Sequence, residues 1–257
     1  MNHGTFKVFY RKKQENERVN IMSEKSNEKL KNTEIKNMIE KEFFDFFEKQ
    51  KEDKLKKYKR HNQFVKKQQI LFVGSSLMGW FPINEMQQTL DERYIIYNRG
   101  IPGYVTRELL NSMEQCIFEL EPSKIFINIG ANDMNTEDYK KEKLIRNYDE
   151  ILTNISERLP DCKVYVMAYY PVNAKADFPR VNKDSKENMF KTRTNATILE
   201  ANEEVKGLAK KHNYEFINVN DGLIDEEGNL KEEFSVEGIH MWPDAYALIL
   251  ENMRKYL

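Results

Sequence analysis

The stretch "ILFVGSSLMGWFP", Ile70–Pro82, contains the features that decide the fold class of this chain. Its first four residues are apolar and predict a short buried β-strand, which Gly74 and two adjacent serines bring to an end. Gly-Ser pairs are common at strand ends for conformational reasons alone. By itself the stretch therefore leaves Ser75 and Ser76 as turn residues, and other segments must decide whether either hydroxyl does chemistry.

After Lys67 the chain continues in the same way, with short apolar runs that alternate with longer helical patterns. The predicted strands are Ile70–Val73, Tyr94–Tyr97, Lys124–Ile129, Lys163–Tyr169 and Glu215–Val219. The predicted helices are about Pro82–Asp91, Thr106–Leu120, Tyr139–Arg158, Asn195–His212 and Asp244–Leu257. Strands that are continuous apolar runs separated by helices predict an α/β fold, in which helices cover both faces of a parallel sheet.

The carboxyl ends of the predicted strands carry residues suited to acyl transfer. Sites in parallel sheets lie beyond these ends, where the chain has "GSS" (residues 74–76), "NRGIPGY" (98–104) and "GAND" (130–133). The segment "FSVEGIHMWPDAY" adds Glu237 and His240 before the last helix. Acyl transfer needs a nucleophile, a base and hydrogen-bond donors for an oxyanion, and all three residue types are present.

These segments resemble the conserved blocks of a known family. From about residue 67 to its C-terminus the chain resembles the SGNH hydrolase superfamily, also called GDSL-type esterases and lipases. The family blocks Gly-Asp-Ser-Leu, Asn-x-x-Ile-x-Gly, Gly-x-Asn-Asp and Asp-x-x-His occur in order as "GSSL" (74–77), "NRGIPG" (98–103), "GAND" (130–133) and "EGIH" (237–240). The resemblance implies a flavodoxin-like three-layer α/β/α sandwich around a five-stranded parallel sheet.

The resemblance also implies catalytic roles for five residues. The nucleophile falls on Ser76, the base on His240 and the triad acid on Glu237. The oxyanion hole falls on the backbone of Ser76 and Gly103 and on the side-chain amide of Asn132. The implied activity is hydrolysis of a small carboxylic ester, such as an O-acetyl sugar or a short acyl ester, through an acyl-enzyme and without a metal or cofactor.

Two residues depart from the family pattern. Ser75 replaces the aspartate of the first block, and Glu237 replaces the triad aspartate with a side chain one methylene longer. An alternative interpretation follows from these changes, namely a non-catalytic SGNH-like protein that binds an acylated glycan or lipid. In that case the two departures reflect a lost activity.

Further residues are candidates for substrate contact. Those that flank the blocks could line an acyl or sugar pocket, although core packing explains each equally well: Trp80, Tyr104, Met241 and Trp242. The long polar segment 173–195 follows the fourth strand at the same edge, and long loops in compact domains are often functional. We therefore consider it a candidate lid, whose Arg180 and Arg193 either meet an anionic group or are solvated.

The N-terminal part of the chain has a different character. Residues 1–32 are polar, with little periodicity, and predict a loosely ordered extension. An amphipathic helical arm is predicted over 33–66 from an apolar stripe at helical spacing: Ile35, Met38, Ile39, Phe43, Phe46, Phe47, Leu55 and Tyr58. We expect this arm to pack on the hydrolase domain at 67–257, with peripheral membrane contact or partner binding as the alternative.

Charge and composition restrict the class further. Residues 1–67 contain 19 Lys and Arg against 11 Asp and Glu, a net of +8, and the remainder has 22 against 31, a net of −9. Because the basic residues are interleaved with glutamates, we expect a solvated or self-docked arm and no nucleic-acid partner. The chain lacks a membrane-spanning run and a signal-peptide pattern, which predicts a cytoplasmic protein. The two cysteines, Cys116 and Cys162, lack metal-ligand spacing and are expected to be buried thiols.

Overall fold

A computed structural model of the protein describes residues 3–136, 138–179 and 181–257, and over residues 3–30 and at residue 32 it describes the backbone alone. The chain divides into two compact units, Met1–Gln50 and Lys51–Leu257. The second unit contains the β-sheet and the candidate site residues.

The centre of the second unit is a five-stranded sheet in which all neighbouring strands are parallel. Its strands are β1 (Ile70–Gly74), β2 (Ile96–Asn98), β3 (Lys124–Asn128), β4 (Lys163–Met167) and β5 (Glu215–Ile217). Their spatial order is β2-β1-β3-β4-β5, which is the order of flavodoxin-like folds. The predicted fold class is therefore confirmed.

Helices connect and cover these strands. The α-helices of the described residues are α1 (His3–His61), α2 (Ser76–Gly79), α3 (Ile83–Met86), α4 (Thr106–Asn111), α5 (Met113–Cys116), α6 (Lys141–Arg158), α7 (Lys183–Met189), α8 (Asn195–Lys211) and α9 (Pro243–Met253). The single helix predicted over Thr106–Leu120 is instead divided into α4, α5 and a 3₁₀ turn. The Ser112 hydroxyl donates to the Glu108 carbonyl oxygen at 2.8 Å, and such a bond competes with the helical backbone.

Alternate residues of each strand enter two different core layers. Leu71 and Val73 of β1 belong to the layer that also contains residues of α4, α6 and α8. Ile70 and Phe72 belong to the layer that also contains residues of α3 and α9. Both layers are buried, which explains why the strands are continuous apolar runs instead of alternating patterns.

The last turns of α1, from Lys51 onward, pack on the segment that follows β2. Tyr58 is buried, and its hydroxyl donates to the Gly100 carbonyl oxygen at 2.7 Å. The Arg99 guanidinium lies over the Tyr58 ring, 4.8 Å from its centroid, and donates to Asn62 Oδ1. These contacts attach the end of the helix to the loop that carries the second sequence block.

In the first unit, α1 begins at His3, before the predicted start at Thr33. Met1 and Asn2 lie outside the described residues. Proline, which most strongly ends helices, is absent before Pro82.

Large apolar side chains of this unit are exposed: Ile35, Met38, Ile39, Phe43, Phe44, Phe46 and Phe47. That this stripe packs on the hydrolase domain stays a prediction. None of the described helices has the length and apolar composition needed to cross a bilayer.

The two cysteines lie in the core layer that contains α4, α6 and α8. Both thiols are free and buried, as predicted. Burial raises the pKa of the Cys116 thiol and of the Cys162 thiol to about 12, because a thiolate loses its hydration in an apolar surrounding. Neither thiol is therefore a reactive nucleophile at neutral pH.

Candidate active site

Ser76 lies at the carboxyl end of β1, where the chain leaves the sheet. A Cβ atom on Gly74 would lie 2.0 Å from the Asn128 carbonyl oxygen, so only glycine allows β1 to lie this close to the end of β3. Ser75 is buried and donates its backbone N–H to the same oxygen at 3.4 Å. Ser76 is the first residue of α2. The glycine thus meets a steric need, and the second serine occupies the exit of the strand.

A chain of hydrogen bonds connects Ser76 to a histidine and a carboxylate far along the sequence. His240 Nε2 lies 2.9 Å from Ser76 Oγ, and His240 Nδ1 is hydrogen-bonded to Glu237 Oε1. An ionised carboxylate only accepts, so Nδ1 carries the proton, and the neutral ring offers Nε2 as the acceptor for the serine hydroxyl. In this arrangement a serine can lose its proton to the imidazole as it attacks a carbonyl carbon.

The loop before α9 explains how glutamate fits where the family pattern has aspartate. Glu237 Oε1 also accepts the backbone N–H of His240 at 3.0 Å, so the longer side chain bends back over its own loop. Two backbone contacts close that loop. The Val236 N–H donates to the His240 carbonyl oxygen at 2.8 Å, and the Gly238 N–H donates to Ser235 Oγ at 2.6 Å. The extra methylene is accommodated within the loop while the carboxylate stays on the imidazole.

Trp80 belongs to the site through its contact with the histidine. The indole and the His240 imidazole have ring centroids 4.0 Å apart, with an angle of 33° between the rings. The backbone N–H of Trp80 donates to the Ser76 carbonyl oxygen at 2.8 Å, which fixes its position after the serine. The residue is 48% exposed. It therefore covers part of the imidazole and leaves part of the indole exposed.

Asn132 follows β3, and both ends of its side-chain amide are held. Its Nδ2 donates to the Tyr104 carbonyl oxygen at 3.0 Å, and its Oδ1 accepts from Arg193 Nη2 at 2.8 Å. An amide nitrogen has two protons, so one N–H remains available. Gly103 precedes Tyr104 and has a φ of +80°, which glycine adopts without steric cost. Within the described part of the chain, the backbone N–H groups of Ser76 and Gly103 donate to no protein acceptor.

Asp133 connects this region to the start of α4. Its carboxylate accepts the backbone N–H of Thr106 at 2.9 Å and also the Thr106 hydroxyl, which in turn accepts from Asn147 Nδ2 at 3.1 Å. Burial raises the pKa of Asp133 above its ordinary value, and the hydrogen bonds from Thr106 oppose this shift. The residue thus holds the third sequence block against the second.

The residues expected to line a pocket lie in different surroundings. Tyr104 and Met241 are buried in the two core layers, which favours the core-packing alternative for these two residues. Trp242 is exposed and immediately precedes α9. A cavity of about 380 Å³ lies beside Trp80 and Arg99, and Ser76, His240 and Glu237 are not among its lining residues.

The structure describes one of the two arginines of the candidate lid, the segment 173–195. Arg193 is buried against Asn132, whereas Arg180 lies outside the described residues. Arg193 is 61 residues from its partner in the chain, so no local motif points to it. Among the described residues, His, Cys, Asp and Glu side chains form no group of three or more that could hold a metal ion.

The sequence pattern of the GDSL-like Lipase/Acylhydrolase family matches residues 73–248, a range that contains every block of the site. The chain belongs to this family. The curated relatives of this GDSL-like hydrolase include platelet-activating factor acetylhydrolase IB subunit alpha2 of Rattus norvegicus. The two are 23% identical over 204 residues, which cover 77% of this chain and 82% of the relative.

Solved structures have the same fold as this GDSL-like hydrolase. A structure from Streptococcus pneumonia, provisionally described as a platelet activating factor, has a TM-score of 0.74 and 27% identity and covers 85% of this chain and 98% of that one. A GDSL-like lipase from Bacteroides thetaiotaomicron VPI-5482 has a TM-score of 0.62 and 20% identity and covers 79% and 98%. The family membership identifies the chain as a hydrolase that acts on ester bonds.

Proposed function

We propose that this GDSL-like hydrolase is a serine esterase that cleaves a small carboxylic ester through an acyl-enzyme on Ser76. The observation that carries the proposal is the hydrogen-bonded chain from Ser76 Oγ to His240 Nε2, at 2.9 Å, and on to Glu237. A serine hydroxyl is a weak nucleophile until an adjacent base takes its proton. Here the base has its acceptor nitrogen on the hydroxyl and its donor nitrogen on a carboxylate.

The reaction has two halves. In acylation, Ser76 Oγ attacks the carbonyl carbon and its proton passes to His240 Nε2. The bond between that carbon and the alcohol oxygen then breaks, and His240 returns the proton to the leaving alcohol. In deacylation, water attacks the acyl-serine, His240 accepts the water proton, and this proton returns to Ser76 Oγ as the acid leaves. Glu237 stabilises the imidazolium that forms in each half.

The negative charge on the former carbonyl oxygen needs hydrogen-bond donors. The available donors are the backbone N–H groups of Ser76 and Gly103 and the free N–H of Asn132 Nδ2. Donors that are fixed before the reaction stabilise the oxyanion without reorganisation, and loss of one such donor costs about 10²–10³-fold in rate. We assign the oxyanion hole to these three groups.

One observation supports a short acyl ester as the substrate: the rat relative is named as an acetylhydrolase. We propose an acetyl or other short acyl ester, with an O-acetyl sugar as a candidate. The binding-only alternative is less well supported, because Glu237 keeps its contact with His240 despite its extra methylene.

The test is an ester panel that runs from acetyl to decanoyl on one chromogenic alcohol, with acetylated sugars beside it. Ser76→Ala should abolish hydrolysis, and Ser75→Ala, the matched control, should retain most of it. A fluorophosphonate probe should label Ser76. A folded parent that neither hydrolyses any ester nor takes up the probe would overturn the proposal. Equal loss of activity in both alanine variants would contradict the assignment of the nucleophile to Ser76.

A further inference from the structure

Arg193 is a buried cation directly behind the proposed oxyanion hole. Its side chain reaches Asn132, where Nη2 donates to Oδ1 at 2.8 Å, and the residue is only 6% exposed. Within the described residues, its Nε is buried and has no hydrogen-bond partner. On the basis of the function proposed above, we infer that Arg193 is a positioning residue that orients and polarises the Asn132 amide for oxyanion binding.

The orientation follows from the two ends of the amide. Arg193 donates to the oxygen, and the Tyr104 carbonyl oxygen accepts one proton of the nitrogen. A rotation of the amide by 180° would bring two donors together at Arg193 and two oxygens together at Tyr104. The free N–H of Asn132 is therefore held toward the oxyanion, where the carbonyl oxygen of a rotated amide would repel it.

The polarisation follows from the charge. A cation that donates to an amide oxygen draws electron density from the amide, so the remaining N–H becomes a stronger donor. Burial lowers the pKa of Arg193 to about 10, and the carboxylates of Glu237 and Asp133 oppose this shift, so the side chain remains protonated at neutral pH.

The neighbours of Arg193 explain why its position is fixed. Thr194 caps α8, with its hydroxyl accepting the Thr197 backbone N–H at 3.1 Å. Asn195 makes two hydrogen bonds to the backbone of Val172, one through Oδ1 at 2.8 Å and one through Nδ2 at 2.9 Å. The start of α8 is thus attached to the segment after β4. An arginine just before it is delivered to the carboxyl edge of the sheet.

A double-mutant cycle on the full chain tests the inference. Arg193→Met should lower kcat by about 10–100-fold with little change in KM, and Asn132→Ala should lower it by about 10²–10³-fold. If Arg193 acts through Asn132, the Arg193→Met change should cost at most about threefold in the Asn132→Ala background. Arg146→Met, at an exposed arginine of α6, is the matched control and should leave kcat unchanged.

Two further measurements separate this role from a structural one. Arg193→Met should weaken the tetrahedral adduct of an alkylboronic acid far more than it raises KM, and Arg193→Lys, which keeps the charge, should lie closer to the parent. Additive losses in the cycle, or equal effects on boronate binding and KM, would overturn the role of Arg193. The two proposals fail separately, because an active Ser76→Ala variant would contradict the acyl-enzyme itself.

Discussion

Two histidine–carboxylate pairs of similar chemistry lie in different regions of the molecule. His240 and Glu237 lie in the loop before α9, with the imidazole hydrogen-bonded to Ser76. His212 follows α8, and its Nε2 is 2.7 Å from Asp149 Oδ1 on α6. The first pair belongs to the site, and the second joins two helices of the outer layer.

The two pairs differ in which ring nitrogen meets the carboxylate. Glu237 takes Nδ1 of His240 and leaves Nε2 for the serine hydroxyl. Asp149 takes Nε2 of His212, and it also accepts two hydrogen bonds from Lys211 at 2.7 and 2.8 Å. A carboxylate beside a histidine is therefore not in itself a sign of catalysis. The opposite ring nitrogen must also face a nucleophile.

Removal of the two imidazoles should give the largest contrast. We expect His240→Ala to lower kcat by about 10³-fold or more, because Ser76 then lacks its base. His212→Ala should leave kcat/KM within about twofold of the parent, since this ring touches no reacting group. Steady-state hydrolysis of a chromogenic acetate measures both. A His212 variant as impaired as the His240 variant would show that the outer pair also serves the reaction.

Substitution of the two carboxylates should give a contrast in kcat in the same direction as substitution of the histidines, but a smaller one. Glu237→Gln should reduce kcat by about 10–1,000-fold, because an amide stabilises the imidazolium poorly and can favour the other tautomer. Asp149→Asn is the control and should not change kcat. Glu237→Asp should be tolerated if the loop closes by one methylene. Full activity in the Gln variant would reduce the triad to a Ser76–His240 dyad.

The aromatic neighbours of the two imidazoles provide a smaller test. The Trp80 indole is tilted against the His240 imidazole, with 4.0 Å between ring centroids, and the Tyr214 ring lies 6.2 Å from that of His212. Trp80→Leu should lower kcat by about 2–10-fold, in line with the loss of one aromatic contact that orients the ring. Tyr214→Leu should leave kcat as it is. Equal kcat values for both variants and the parent would exclude a catalytic contribution from the indole.

The His212–Asp149 pair should instead make a small contribution to the free energy of unfolding. Burial favours a higher pKa for Asp149, but the hydrogen bonds from Lys211 and His212 outweigh it and hold that pKa below its ordinary value. A lowered carboxylate pKa stabilises the fold above the unfolded value of about 3.9, and this contribution is lost as pH falls through the folded pKa. Asp149→Asn should thus cost up to about 1 kcal/mol at pH 6 and almost nothing at pH 2, measured by urea unfolding. A difference that grows in acid would contradict this assignment.

Much of the fold could be predicted because its signals are local. Every strand of the sheet lies at a predicted apolar run. A strand that is buried on both faces is apolar throughout, so it can be predicted without knowing which elements pack against it. The helix α7 was missed although Asn182 accepts the Ser185 backbone N–H at 2.8 Å, a capping signal that "NKDS" contains. The apolar pattern of α1 predicts a helix, because helical spacing is a local signal, but periodicity does not say what covers the apolar face.

The site residues likewise differ in whether local sequence predicts them. The register of short blocks located Ser76, His240 and Glu237, and the structure brings these three side chains together. The sequence marks Arg193 only as one of two arginines in the candidate lid, because its contact with Asn132 joins residues that are remote in the chain. A buried arginine and a solvated one have the same letter, and only the packing distinguishes them.

The two buried cysteines have a practical consequence for following the enzyme at work. Because burial keeps both thiols protonated, maleimide reagents will react slowly with them at neutral pH. A cysteine introduced at exposed Glu187 of α7 would then be the one readily labelled thiol among the three in such a chain. A fluorophore or spin label at this position would report whether the segment 173–195 moves during ester hydrolysis.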